Sequence, residues 1–373
     1  MNCRTENIAT LGRKVVTAIA LTLLSGILTA QTLYRPGDLL VSSRGTDAVI
    51  WYDSTGSSLG FFVTPGLGGL SAPQEILIHP SGDIIVTGRW NSSLKRYDGL
   101  SGDFVGDFSS GYDLDQPTKT QIGPDSLIWV AQWGTQNKIA RFDLETGAFV
   151  DEITEIGVYQ GMGMAWTSGS WFVCSWNEGT DGFVQAFSYD GTDLGFLLEG
   201  SDLDGPVNLW LDDQDSSRLW IADWSRGDVL VYDIDDGMMV DTPVSTLQRL
   251  EGYAFDRHGR LYLGDWLANR IYRYDRELDE LEVFTSTGGV VNPNGILIVP
   301  DEEAPVEPPT AIETPEQLWG PVNYSIINLH GQIVARGYSI DGRQLDSVPT
   351  ETGFYVIRFE YEEGDKIRWL MQR

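Results

Sequence analysis

The chain of 373 residues is poor in the residue type that forms covalent cross-links. It contains two cysteines, and because Cys3 lies close to the N-terminus, Cys174 is the only cysteine in the remainder. A lone thiol cannot form an internal disulfide, so the cysteine content does not distinguish an oxidising from a reducing compartment. We predict that Cys174 is a small, buried hydrophobic residue of a strand.

Histidine is equally scarce. His79, His258 and His330 all fall in predicted hairpin turns, which favours solvent-exposed turn residues over a catalytic base or a metal ligand. The chain also has no phosphate-binding glycine-lysine loop and no His-Glu-x-x-His segment. These absences remove the motif evidence for a nucleotide-binding protein or a zinc protease.

Positive charge is scarce as well. The chain has 25 Lys and Arg against 54 Asp and Glu, and its net charge is −29. A phosphate backbone needs clustered Lys and Arg on its partner, and so does an anionic lipid surface. We therefore expect no nucleic-acid partner and no docking on anionic membranes, and we interpret the acidic surface as favouring solubility outside the cell.

The apolar run Val15–Leu28 near the N-terminus is too short to predict a membrane span. Basic residues precede it and a small residue, Ala30, follows it. This order is typical of a secretory signal peptide over residues 1–30. We therefore expect an exported protein that is secreted or held at the cell surface.

One short phrase, an aromatic residue followed by Asp, recurs six times. The steps between copies are 45, 45, 47, 43 and 42 residues, the length of four short strands with their turns. The spacing predicts an all-β fold, a six-bladed β-propeller over residues 31–300. The copies are Tyr52-Asp53, Tyr97-Asp98, Phe142-Asp143, Tyr189-Asp190, Tyr232-Asp233 and Tyr274-Asp275.

The first and last units of this repeat complete each other. The first unit begins at Gly37–Val41, which matches the second strand of the other units, so its own first strand is missing. Residues 292–298 match a first strand with no second strand after it. We predict that the two segments pair and close the ring, which leaves only short outer strand edges exposed.

Two units resemble a known repeat. The stretch Leu263–Ile271, and more briefly Ile221–Trp224, resembles the NHL repeat, whose usual wording is close to V-A-D-x-x-N-x-R-I. Ala268 stands where that family usually has Asn. The resemblance implies the propeller fold and no particular activity, because such propellers have unrelated functions.

The end of the chain has a different composition. Residues 301–317 are acidic and proline-rich, which is typical of an extended linker. Residues 318–373 then return to a β pattern, and we predict a small C-terminal β-sandwich domain there.

This C-terminal segment resembles the sorting domain of Bacteroidetes proteins exported by the type IX (Por) secretion system. The matching stretches are residues 329–334, 352–357 and 366–370, although the Tyr-Pro-Asn-Pro start of many family members is missing. The resemblance implies passage through the periplasm and the outer membrane, with the type IX machinery as a partner. The alternative is an accessory β domain that packs on the propeller.

Aromatic residues recur at one end of the predicted blades. In an antiparallel blade, the start of the first strand and the end of the second lie at the same face. Five second strands end at Trp, which predicts a ring of indoles around a polar mouth, suited to an extended ligand such as a glycan or peptide. The candidate ligand-binding residues are Trp90, Trp133, Trp176, Trp224, Trp266, Arg89, Asp223, Asp265 and Gln160, with Arg44 at the corresponding place in the first blade.

A packing role is the alternative for the same residues. Alternation along a strand places Trp220, Ala222 and Trp224 on one side of the sheet, which favours indoles wedged between blades. In that case, Asp223 and Asp265 would hold backbone amides of the adjoining loop.

Propellers of the gluconolactonase family bind a divalent metal through Glu, Asn and Asp residues at the mouth. Glu251, Asn294 and Asn208 stand at comparable first-strand starts, which makes them candidates for binding Ca²⁺ or Mg²⁺. We expect no other cofactor and assign no catalytic residue.

Three classes of function remain after this comparison. The first is an exported propeller that binds an unknown glycan, peptide or protein at its Trp-lined face. The second is a metal-dependent hydrolase or lactonase, and the third is a structural component of the cell surface or matrix.

Overall fold

The computed structural model of the protein describes residues 34–177 and 181–300, together with four strands of the C-terminal segment. The predicted signal peptide, residues 1–30, and the predicted linker, residues 301–317, lie outside the described residues. In the part of the chain that is described, no helix is both long enough and apolar enough to cross a membrane.

Short β-branched and aromatic runs between Gly, Pro, Asp and Ser turns form the strands of the propeller. In chain order they are β1 Leu39–Ser43, β2 Ala48–Tyr52, β3 Ser58–Val63, β4 Pro73–Ile78, β5 Ile84–Gly88, β6 Ser93–Tyr97, β7 Phe104–Asp107, β8 Pro117–Ile122, β9 Leu127–Gln132, β10 Ala140–Asp143, β11 Phe149–Glu152, β12 Gly161–Trp166, β13 Trp171–Ser175, β14 Phe183–Phe187, β15 Asp193–Glu199, β16 Pro206–Leu211, β17 Arg218–Asp223, β18 Asp228–Asp233, β19 Met238–Val244, β20 Leu250–Phe255, β21 Leu261–Asp265, β22 Arg270–Asp275, β23 Glu280–Thr285 and β24 Pro293–Ile298. Two short 3₁₀ turns, Arg44–Thr46 and Leu67–Gly69, interrupt them.

These strands form six four-stranded antiparallel sheets, which are the blades. Blade 1 has the order β24-β1-β2-β3, and blades 2 to 6 begin at β4, β8, β12, β16 and β20. Each of these first strands contacts the next, and β24 contacts both β20 and β4, so the first strands form a closed ring. A Cβ at Gly252 would lie only 2.0 Å from the carbonyl oxygen of Asn294, which shows how closely neighbouring strands approach at the axis. The predicted six-bladed propeller is confirmed.

The ring closes where the two ends of the propeller meet. β1 pairs antiparallel with β24, and Leu39 lies opposite Ile298. The Ser42 hydroxyl links this seam to blade 2, because it accepts the Gly295 N–H at 2.6 Å and donates to the Gln74 carbonyl at 2.7 Å. The predicted closure by N- and C-terminal strands is therefore confirmed.

In every blade except the fourth, the repeated phrase has a structural role at the end of the third strand. Its aromatic residue is buried, as at Tyr52, and the following Asp organises the turn. The Asp53 carboxylate accepts the backbone N–H groups of Thr55 and Ser57 at 2.9 and 3.0 Å. Hydrogen bonds from a carboxylate to its own turn are the usual reason for Asp at such positions.

Blade 4 departs from the predicted phrase. Its third strand ends at Phe187, which is fully buried, whereas Tyr189 is 39% exposed. Ser188, which follows Phe187, stands where the other blades have the Asp of the phrase. Its N–H donates to the Thr192 carbonyl at 3.0 Å. The buried aromatic residues from Tyr52 to Tyr232 therefore recur at a constant 45 residues. The steps of 47 and 43 arise because Tyr189 lies two positions beyond the repeat, whereas the last step, from Tyr232 to Tyr274, is 42 residues.

The described strands of the C-terminal segment form one antiparallel sheet. They are β25 Val322–Asn328, β26 Ile333–Ser339, β27 Gly353–Glu360 and β28 Lys366–Gln372. Their order is β26-β25-β27-β28. The second sheet that a β-sandwich requires is not among the described residues.

The predictions for cysteine and histidine, the two rarest residue types of the chain, differ in how well they agree with the structure. Cys174 is a free, fully buried residue of β13, as predicted, and burial raises the pKa of its thiol. The prediction for His79 is wrong, because this turn residue is only 4% exposed. Its ring packs against Phe108, with 5.6 Å between the ring centroids. Its Nε2 atom lies 3.2 Å from the Glu145 carbonyl oxygen, which ties the turn to the next blade. His258 is exposed, as predicted, and His330 lies outside the described residues.

Candidate functional site

One backbone hydrogen bond, repeated in all six blades, positions a side chain at the mouth of the ring. The residue that follows the second strand donates its N–H to a carbonyl just before the first strand, and its side chain thereby lies over the channel. Six residues, one from each blade, are held in this way, and we call them the rim. The bonds are Arg44 to Asn292 at 3.1 Å, Arg89 to Ala72 at 3.2 Å, Trp133 to Gln116 at 3.0 Å, Trp176 to Gln160 at 3.4 Å, Trp224 to Gly205 at 2.8 Å and Trp266 to Arg249 at 2.7 Å.

The prediction for blade 2 was wrong by one residue. β5 ends at Gly88, so Arg89 takes the rim position and Trp90 lies beyond it, 63% exposed. Gly88 has no side chain to hold the preceding loop, and Asn91 does so instead, accepting the Ser71 N–H at 2.8 Å. A Cβ at Gly88 would lie 2.0 Å from the Asn91 amide oxygen, so a larger residue there would displace the Asn91 side chain.

The rim side chains contact one another in an almost continuous arc. The ring centroids of Trp133 and Trp176 are 5.1 Å apart, those of Trp176 and Trp224 are 4.4 Å apart, and those of Trp224 and Trp266 are 5.6 Å apart. The Arg89 guanidinium lies over Trp133 at 4.4 Å. Edge-to-face indoles and guanidinium stacking each stabilise such an arrangement by about 0.5–1.5 kcal/mol.

The indoles have features of both predicted roles, ligand binding and packing between blades. Trp133, Trp176 and Trp224 pack against the hydrophobic core of blades 4 to 6, which is the packing role. All four rim indoles nevertheless remain partly exposed and line a common cavity. The same side chains therefore wedge between blades and present a surface to solvent.

The rim encloses a cavity of about 340 Å³, which we call the rim cavity. Its floor consists of Gln74, Met162, Glu251 and Asn294, each at the second position of a first strand. Gln74 and Asn294 are each 2% exposed, and the Gln74 Nε2 and Asn294 Oδ1 atoms have no hydrogen-bond partner among the described residues. Buried polar groups of this kind are rare in native proteins and call for an explanation.

A charged cluster lies on the axis beside this floor. The fully buried Lys119 ammonium is 3.2 Å from the Glu251 carboxylate and 3.8 Å from the Glu75 carboxylate. Burial raises the pKa of Glu75 to about 7, although the charge of Lys119 acts in the opposite direction. A carboxyl group with such a pKa is partly protonated near neutrality.

Two of the three candidate metal ligands already have partners within the protein. Glu251 already has Lys119 as its charge partner. Asn208 donates its amide to the Glu251 carbonyl at 2.5 Å, and of the three only Asn294 has a buried oxygen without a partner. Within the described residues, no three His, Cys, Asp or Glu side chains group in a way that could hold a metal ion.

Asp223 and Asp265 have the loop-holding role that the sequence left as an alternative. Asp223 is fully buried, and its carboxylate accepts the backbone N–H groups of Asp204, Gly205 and Arg226 at 2.8 to 3.1 Å. Asp265 holds the corresponding loop of blade 6 in the same way. Neither residue lines the rim cavity, and their hydrogen bonds position the loops beside the rim.

A second cavity of about 450 Å³, the lateral cavity, lies beside the first. Trp133 lines both cavities and separates them. Gln160, the remaining predicted site residue, is 4% exposed and lines the lateral cavity, next to Tyr159, which is 50% exposed.

Sequence reasoning missed the floor as a unit. Gln74 and Met162 of the floor, and Lys119 beside it, lie near the starts of first strands. A comparison of these positions between blades could have selected them, because their side chains differ from those at the same positions of other blades. Arg249 was also missed, and its guanidinium lies over Trp224 at 4.6 Å. No sequence signal indicates that Lys119 reaches Glu251, because the two belong to blades 3 and 6.

The opposite end of the blades contains a serine-hydrolase sequence pattern, but not the structure that such a catalytic site needs. Residues Gly56–Gly60 match the Gly-x-Ser-x-Gly pattern of serine hydrolases, but its Ser58 is the first residue of β3, which pairs with β2 in an antiparallel hairpin. The nucleophile of that pattern needs a strand-to-helix turn. The match therefore gives no evidence for a catalytic serine.

Comparison with known proteins supports the fold. No family model and no curated protein matches the chain. A chain in the crystal structure of a nidogen/laminin complex is similar with a TM-score of 0.57 at 16% identity, over 70% of this chain and 98% of that one. Virginiamycin B lyase from Staphylococcus aureus is similar with a TM-score of 0.50 at 16% identity, over 71% of this chain and 86% of that one. At such identities the similarity shows the propeller fold alone.

Proposed function

We propose that this protein is an exported β-propeller that binds an extracellular ligand in the rim cavity. The observation that carries the proposal is the convergence of one rim side chain from each blade over a floor with unpaired buried polar atoms. Packing alone would bury the indoles and pair the floor. Aromatic walls with a few convergent polar groups are the usual composition of a binding site.

Two tryptophans of blade 4 provide a matched test. Trp176 belongs to the rim, whereas Trp166 ends β12 at the opposite end of the same blade. Calorimetry against a panel of soluble glycans and peptides should find a ligand. Trp176→Phe should weaken its binding about fivefold, because the loss of the larger indole surface costs about 1 kcal/mol.

Trp166→Phe should leave the affinity unchanged. If both variants bind alike, the rim cavity is not the site. If no member of the panel binds, a structural role at the cell surface becomes the better account. Protein partners belong in the panel, since one structural neighbour comes from a nidogen/laminin complex.

The enzymatic alternative has weaker support. Lys119 already supplies the positive charge that a divalent ion would bring to Glu251. A metal-dependent hydrolase or lactonase would therefore need to displace a fully buried ammonium. Binding of Ca²⁺ or Mg²⁺ that is lost in Glu251→Gln would revive this alternative.

Export is the second part of the proposal. Residues 1–30 have the order of a signal peptide, and residues 318–373 resemble a type IX sorting domain in three successive stretches. An exported protein would meet its ligand at the cell surface or in the medium.

We also propose that the repeat is of the NHL type, on the basis of the sequence of residues 263–271.

Deletion of residues 318–373 tests the proposed export. The propeller should remain folded but stay in the periplasm, and residues 301–373 fused to an unrelated secreted reporter should carry it across the outer membrane. If the deleted protein still reaches the surface, or if the fusion stays in the periplasm of a host with type IX machinery, the segment is an accessory domain.

A further inference from the structure

Positive charge, which is scarce in the chain as a whole, gathers at the rim cavity. Arg44 and Arg89 belong to neighbouring blades, and both line the cavity. Of the residues that line it, Glu251 alone is acidic, and Lys119 balances its charge at 3.2 Å. The lining therefore carries a net positive charge inside a protein whose net charge is −29.

The unpaired polar atoms of the floor require a ligand that both donates and accepts hydrogen bonds. The Gln74 Nε2 atom needs an acceptor, and the Asn294 Oδ1 atom needs a donor. A hydroxyl group supplies both in one atom, so a ligand with adjacent hydroxyls satisfies the floor. The flat indole surfaces above the floor suit the apolar face of a sugar ring.

The two cavities together indicate more than one ring. The rim cavity and the lateral cavity meet at Trp133, and the lateral cavity is the larger. Tyr159 gives it an exposed aromatic surface of its own. A chain-like ligand can place one unit in each cavity, on either side of Trp133. The acidic residue of the lateral lining, Asp115, already accepts the Thr135 N–H and hydroxyl at 2.6 and 2.9 Å.

From these observations we infer that the ligand is an anionic oligosaccharide of at least two units. Its carboxylate or sulfate group lies on Arg44 and Arg89, and its hydroxyls lie on the floor. This inference rests on the proposed binding function and adds the ligand class. Guanidinium groups donate paired hydrogen bonds to such anions.

The first experiment separates charge from shape. Short oligogalacturonates and their methyl esters have the same rings and hydroxyls, but only the free acid is charged. Calorimetry should show the acid binding at least about tenfold more tightly than the ester, with an affinity that falls as salt is added. The disaccharide should bind more tightly than the monosaccharide, and a sulfated oligosaccharide of matched length tells sulfate from carboxylate.

The second experiment uses matched arginines. Arg44→Gln and Arg89→Gln should each weaken binding of the preferred anionic saccharide about tenfold and leave its uncharged counterpart unaffected. Arg276→Gln is the control, because the Arg276 guanidinium lies over Trp220 at 4.7 Å, near the opposite end of a blade. It should leave both affinities unchanged.

The outcomes distinguish this inference from the proposed function. Equal binding of acid and ester, or tighter binding of an acidic peptide than of any saccharide, overturns the anionic oligosaccharide and leaves rim binding intact. Preference for the sulfated chain supports the inference and names sulfate. Absence of binding by every probe overturns both.

Discussion

The two ends of the blades satisfy their polar groups in different ways. At the turn end, a carboxylate such as that of Asp53 accepts N–H groups of its own turn. At the mouth end, Asp223 and Asp265 also hold loops of their own blades, but other buried groups reach across the ring, as Lys119 of blade 3 reaches Glu251 of blade 6. The Gln74 Nε2 atom there has no partner in the described part of the chain.

This difference separates what the fold repeats from what this protein adds to it. A turn closed by its own Asp needs no other blade, so the same solution can recur along the sequence. The mouth brings six different residues together, and stability alone does not explain polar atoms left unpaired there. Departures from the repeat at the mouth are therefore the best guide to function.

The largest effect should come from removing the seam that supports both ends. A chain that stops after Val291 lacks β24, so Leu39, Leu40 and Val41 lose their strand partner. Each buried aliphatic side chain contributes about 1.5–3 kcal/mol, which together rivals a typical total stability of about 5–15 kcal/mol. We expect loss of the cooperative transition in thermal unfolding.

A chain that stops after Pro300 is the control, because it keeps β24. It should unfold cooperatively at the temperature of the propeller in the full chain. Equal melting of the two truncated proteins would mean that the seam contributes little.

The charged cluster of the mouth provides the next test. Lys119→Met leaves the buried Glu251 carboxylate and the partly buried Glu75 carboxylate without their ammonium, and we expect a loss of about 3–5 kcal/mol in the free energy of unfolding. Urea denaturation measures this loss. The double variant Lys119→Met/Glu251→Gln should recover part of it, and an equal loss in single and double variants would argue against the ion pair.

Glu75 predicts a pH dependence with a definite sign. Its ordinary pKa is 4.5 and burial raises it to about 7, so the folded protein holds this proton more tightly than the unfolded chain. Stability should therefore fall as pH rises between these two values, by roughly 3 kcal/mol in total. Glu75→Gln should remove that part of the slope in urea unfolding measured across this range, and an unchanged slope would contradict the raised pKa.

A pair of carboxylates compares the two ends directly. Asp223 is fully buried at the mouth and holds three backbone amides, so Asp223→Ala should cost about 2–4 kcal/mol. Asp143, in the blade 3 turn, bonds Thr146 in an exposed setting, and Asp143→Ala should cost only about 0.5–1 kcal/mol. Urea unfolding of both variants measures the difference, and equal losses would remove the distinction between the ends.

Much of the fold could be predicted because it depends on short-range chemistry. The aromatic residue and the Asp of each turn are adjacent in the chain, and their spacing shows the number of blades. Errors occurred where the local pattern shifted, at Tyr189 in blade 4 and at Trp90 in blade 2. In both places a neighbouring residue, Phe187 or Arg89, takes the structural position.

The sequence by itself determined the six units, the seam between β1 and β24 and the presence of indoles at one face. Only the tertiary structure decided that four indoles and two guanidiniums form the rim, and that Lys119 meets Glu251 beside its floor. The physical reason is that each unit contains its own pattern of buried residues and turns, which can be recognised from the sequence. Contacts between blades depend instead on where the closed ring places residues that are far apart in the chain.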